Sequence, residues 1–96
     1  MISREDFMFT IGYDGGTAIV DGKAKAQYGK LGTAALAEAG LFRAAFASAV
    51  YSKSEDELKA FAVIFNARAG TSYSTHDEFQ RLFGVKQDIA RRVLVL

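Results

Sequence analysis

The sequence predicts an α+β domain in which the strands come first and the helices follow. Aromatic and β-branched residues cluster around two glycine-bearing turns within the first 28 positions. An alanine-rich run over residues 33–51 has high helix propensity. Two later segments open on a serine or threonine and then carry apolar residues at helical spacing. The expected architecture is an antiparallel hairpin or three-stranded meander packed against about three to four C-terminal helices. It forms one domain over residues 1–96, with a β-rich part (1–28), a helical part (33–92) and an apolar tail (93–96).

Residues 7–13, Phe-Met-Phe-Thr-Ile-Gly-Tyr, read as the first strand. Asp14-Gly15-Gly16 supplies the positive φ of a tight hairpin, and residues 17–20 return. Asp21-Gly22 is a second turn signal. Residues 23–28 alternate Lys23, Lys25 and Gln27 with Ala24, Ala26 and Tyr28, which reads as a third strand with a thin apolar face.

Residues 29–32 are a linker. In the long helix of residues 33–51, Phe42, Phe46 and Val50 share a face. Gly40 either permits close packing there or splits the run in two. Ser54 with Glu57 fits a capping box, Leu58, Phe61, Ile64 and Phe65 form a stripe, and Gly70 suits the C-terminal cap. Thr75 with Glu78 fits a second box. Phe79, Leu82 and Phe83 follow as a stripe, and Gly84 ends that helix. The tail from Val85 reads as helical first and extended at its end.

Composition excludes several classes. The chain has no cysteine, so disulfides, thiolate metal sites and a cysteine nucleophile are out. That composition leans toward a reducing, cytoplasmic compartment. The first residues are acidic rather than basic, unlike a signal peptide. Residues 34–51 contain Glu38 and Arg43, and most of their apolar members are alanine, which rejects a membrane span. A net charge of +1 excludes a strongly basic tail.

Few residues suggest chemistry. His76 is the single histidine, and as a residue in the first turn of a helix it reads as a surface side chain. The glycines of 12–17 read as a hairpin turn, because a phosphate loop needs a following helix and a Gly-Lys-Ser/Thr pattern. Glu55, Asp56 and Glu57 suit the positive end of a helix dipole. No nucleophile–base pair or metal constellation is visible, so the domain is expected to be non-enzymatic, without cofactor or metal.

From Phe79 onward Arg81, Lys86, Arg91 and Arg92 face Asp88 alone, a local net charge of +3. This segment resembles a helix-turn-helix, with Gly84 as the turn glycine and Ile89 and Val93 inward. The resemblance covers fewer than twenty residues. It implies nucleic-acid contact through Arg81, Lys86, Gln87, Arg91 and Arg92.

A competing reading starts from apolar surface. Ala37, Gly40, Ala44 and Ala47 give the long helix a small-residue side, and Val93, Leu94, Val95 and Leu96 form an apolar end. The leading expectation is therefore a protein-interaction or homo-oligomerising module, with a protein partner or a second copy as a homodimer and no membrane. Its contact surface is the sheet edge, the small-residue helix side or the residues Val93 to Leu96. A nucleic-acid-binding protein is the alternative, and a small-molecule-binding or enzymatic domain comes last.

Overall fold

A computed structural model of the chain describes residues 2–85 and 91–96. The class is α+β: among the described residues there are six helices and one three-stranded sheet. The chain divides into two units, residues 2–31 with 91–96, and residues 32–85.

The first unit opens with a helix rather than a strand. Ser3 accepts from the Asp6 amide, and Glu5 and Asp6 complement the dipole, so α1 spans Arg4–Met8. Phe7 and Met8 are therefore helical and buried, which corrects the strand expected from residue 7. Strand β1 (Thr10–Asp14) and β2 (Thr17–Val20) form the hairpin, with Gly15 at φ +60° in its turn.

Residues 23–28 are not a strand. Asp21 accepts from the Ala24 amide at 3.1 Å and starts helix α2 (Gly22–Tyr28). Alanine, lysine and glutamine are all good helix formers, and none of these residues is β-branched, so the cap decides the outcome. Arg4 finishes that helix by donating to the carbonyls of Gly29 (3.2 Å) and Leu31 (2.6 Å). Lys25 Nζ meets the otherwise unpartnered, buried Asp6 Oδ1 at 2.7 Å and ties α2 to α1.

The third strand comes from the other end of the chain. Strand β3 (Arg92–Val95) pairs with β2, and the sheet order is β1-β2-β3. The expected extended tail is present, but it runs parallel to β2, so the sheet is mixed rather than a meander. Val93, placed inward on a helix by the helix-turn-helix resemblance, belongs to this strand instead.

The second unit is helical: α3 (Thr33–Glu38), α4 (Phe42–Ser52), α5 (Glu55–Ala69) and α6 (His76–Phe83). Gly40 splits the alanine-rich run. It sits at φ +82°, the Leu41 amide donates to Leu36, and the Gly40 amide donates to Ala37. That pair of bonds is a Schellman motif, which a left-handed glycine permits. The unit's core is aromatic. Phe46, Phe61 and Phe79 are fully buried, with ring centroids 5.0–5.9 Å apart. Leu82 departs from its expected stripe and is 48% exposed, while Phe79 is buried and Phe83 half-buried.

The two capping boxes behave differently. At α6 the box is complete: Thr75 accepts from the Glu78 amide, and Glu78 Oε1 accepts from the Ser74 and Thr75 amides and the Thr75 hydroxyl. Those donors, the Ser74 and Thr75 amides first, hold the Glu78 carboxyl below its ordinary pKa of 4.5. A carboxylate with a lowered folded-state pKa stabilises the fold above its unfolded pKa. That stabilisation is lost as the pH falls through the folded value. Acid titration of Glu78→Gln is therefore expected to show a smaller loss of stability below about pH 4.5 than the parent, read by denaturant midpoints across pH.

At α5 only half the box forms. Ser54 accepts from the Glu57 amide, but Glu57 Oε1 accepts from the Thr33 hydroxyl at 2.5 Å. Thr33 Oγ1 also lies 2.8 Å from Ser48 Oγ, and Ser48 is fully buried. One hydroxyl has one proton, so Thr33 donates to the carboxylate and Ser48 donates to Thr33. This chain joins α3, α4 and α5. Thr33→Val is expected to cost about 1–3 kcal/mol, because it removes the hydroxyl that meets both Ser48 and Glu57. Thr33→Ser is expected to restore most of that loss, and chemical denaturation measures both.

Candidate interaction edge

The expected apolar contact residues lie on β3 and just beyond it. Val93, Leu94, Val95 and Leu96 are 37%, 51%, 46% and 70% exposed. They are the longest consecutive run of exposed large apolar residues among the described ones. Strand register explains why both sheet faces are involved. Val93 and Val95 stand beside the fully buried Ala18 and Val20, while Leu94 stands beside Ile19 on the opposite face.

The backbone orientation of β3 follows from its bonds to β2. The Arg92 amide donates to Gly16 at 3.1 Å, and the Leu96 amide donates to Val20 at 3.0 Å. Period two along the strand then turns the N–H and C=O of Val93 and Val95 away from β2. The order β1-β2-β3 gives β3 one strand neighbour among the described residues, so those groups form an open edge.

Gly22 seats the end of this strand. A Cβ at that position would collide with the Leu96 carbonyl oxygen and stand 2.7 Å from Val95 Cγ1. Sequence reasoning took Asp21-Gly22 as a turn and missed this role. The signal was present only as a glycine at a helix start, where a side chain is normally tolerated. Gly22, Ala26 and Gly29 also give α2 a small face, which with Val95, Glu5 and Lys30 lines a mainly apolar cleft of about 410 Å³.

The expected nucleic-acid residues are divided between the two units and the undescribed segment. Arg81 is exposed on α6, and Arg91 and Arg92 are exposed at the start of β3. The Arg91 stem lies over Gly16, 3.4 Å from where a Cβ would be. Lys86 and Gln87 lie outside the described residues, as does Ile89.

Ser48, the buried hydroxyl beside Thr33 and Glu57, is fully inaccessible. His76 is 41% exposed, with Nδ1 3.8 Å from an Asp77 oxygen and its ring 5.6 Å from that of Phe46. Among the described residues no three His, Cys, Asp or Glu side chains converge as a metal site needs. No helix among them is long and apolar enough to cross a membrane. No protein-family model matches the chain, and neither a curated protein nor a solved structure is significantly similar to it.

Proposed function

We propose that this chain is a protein-interaction module that self-associates through the open edge of β3. The observation that carries the reading is the exposure of Val93, Leu94, Val95 and Leu96 on a strand whose outer backbone groups have no strand partner among the described residues. Edge strands of monomeric proteins are normally blunted by a bulge, a charge or a proline within the strand. Here the charges, Arg91 and Arg92, stand only at the strand's start. Sheet addition at such an edge draws affinity from main-chain bonds and specificity from alternate side chains.

A strand this short belongs to the weak class of interface, below about 1,200 Å². The expected behaviour is a mass that rises with concentration rather than a fixed dimer. Light scattering after size exclusion tests it. The parent chain is expected to move toward twice its monomer mass at high concentration, at low and high salt alike. Leu94→Lys, which places a charge on the exposed edge, is expected to stay monomeric. A parent chain that remains monomeric throughout contradicts the reading.

The exposed Arg81, Arg91 and Arg92 support a second reading, contact with nucleic acid. Titration with duplex DNA separates the two. Binding that weakens steeply with salt, and is lost in the Arg91→Ala and Arg92→Ala variants, favours that second reading.

A further inference from the structure

The self-association reading, on which this inference rests, leaves the geometry of the pair open. The sheet has two edges, and they are not equivalent. β1 carries a register shift between Thr10 and Gly12, an internal glycine, and Asp14 at its end. Each of these blunts an edge. β3 pairs with β2 over four residues without a shift, and its apolar residues are exposed on both faces.

Hydrogen-bond parity then restricts what a partner strand can do. Only Val93 and Val95 present N–H and C=O outward within β3. In an antiparallel pair, outward residues must face outward residues.

We propose that the occupant of this edge is β3 of a second copy, running antiparallel about a two-fold axis at Leu94. Val93 of each copy then faces Val95 of the other, Leu94 faces Leu94, and Arg92 faces Leu96. Both Val93–Val95 pairs exchange two N–H···O bonds. A slip of one residue sets outward groups against inward ones and moves every side chain to the wrong face. A slip of two keeps the faces but leaves a single valine pair. In the proposed register Val93 and Val95 continue the face of Ala18 and Val20, and the two Leu94 side chains cover each other on the opposite face. The strands join into one six-stranded sheet.

Charge selects the direction, and with it a second copy as a self-compatible partner. Antiparallel, the two Arg92 residues are four positions apart along the strands, roughly 13 Å at about 3.3 Å per residue. That exceeds the Debye length of about 8 Å at physiological salt. A parallel copy, which the same parity offsets by one residue, sets them only about 6 Å apart, where like charges repel. The arginine stem can also lie along the facing Leu96 while its head stays in water.

The absence of cysteine makes the test direct. Leu94→Cys and Arg92→Cys are made separately in the full chain and oxidised at a concentration where the parent associates. Their masses under reducing conditions are measured alongside. Residues facing each other across the axis lie within the 4.4–6.8 Å Cα separation that a disulfide spans, and residues roughly 13 Å apart do not. The expected result is a disulfide-linked dimer for Leu94→Cys and only a trace for Arg92→Cys. Linkage of both variants overturns the antiparallel register. A reduced dimer that links in neither variant overturns the edge geometry while leaving self-association intact. A monomer at every concentration overturns self-association itself.

Discussion

Replacing Phe46 with alanine is expected to lower the stability of the helical unit by about 3–5 kcal/mol, the usual cost of emptying a buried phenylalanine site. Phe46 is fully buried on α4 and its ring meets those of both α5 and α6. Its ring lies 5.9 Å from Phe61 on α5 and 5.8 Å and 5.7 Å from Phe79 and Phe83 on α6. The surrounding rings are large and rigid, so they collapse poorly into the space left behind. A loss of this size is a large fraction of the roughly 5–15 kcal/mol that holds most domains folded. Phe46→Leu keeps most of the buried apolar volume and is expected to lose much less. Denaturant midpoints measured on both variants check the prediction. A loss near zero for Phe46→Ala would mean that the aromatic cluster is not the core.

Gly22→Ala is expected to loosen β3 and, with it, self-association. Two effects oppose each other. Alanine in place of glycine at a helical position gains roughly 1 kcal/mol in propensity. Against that, the added methyl group meets the Leu96 carbonyl and the Val95 side chain. Overpacking of this kind typically costs about 1–3 kcal/mol, and the obstacle here is backbone, which cannot rotate away. The sheet end should yield first, because β3 has one strand neighbour among the described residues while α2 is anchored by Asp21 and Lys25. The expected signature is faster amide exchange at Leu94 and Leu96 with little change in the helical unit. A more stable variant with unchanged exchange would show that propensity outweighs the clash.

Much of the fold was legible where local chemistry decides it. Gly70 and Gly84 end helices in the left-handed region, as their positions after apolar stripes suggested, while Gly40 takes one of its two expected roles and splits the alanine-rich run. Thr75 and Glu78 close the box their spacing implies. The failures lie where a distant group or an overlooked cap wins. Residues 22–28 satisfy both a strand alternation and a helix, and only the bond from the Ala24 amide to Asp21 separates the two. Ser3 caps α1 in the same way, and its acidic followers were read only as evidence against a signal peptide. Glu57 abandons its box for Thr33, 24 residues away, which no local pattern can reveal.

The candidate site shows the same division. Val93 to Leu96 were recognisable as apolar, and their extended end was expected. An apolar run does not name the strand it pairs with, so the parallel register on β2 and the seat at Gly22 came only from the fold.

Amide hydrogen exchange along β3, followed residue by residue across protein concentration, tests the central claim most directly. The Leu94 and Leu96 amides face β2, and their protection belongs to the single chain. The Val93 and Val95 amides face outward and gain protection only when a partner covers the edge. Self-association through β3 predicts that Val93 and Val95 become protected as concentration rises, while Leu94 and Leu96 stay protected throughout. Free exchange of Val93 and Val95 at every concentration, with Leu94 and Leu96 still protected, would leave the edge uncovered and contradict the account.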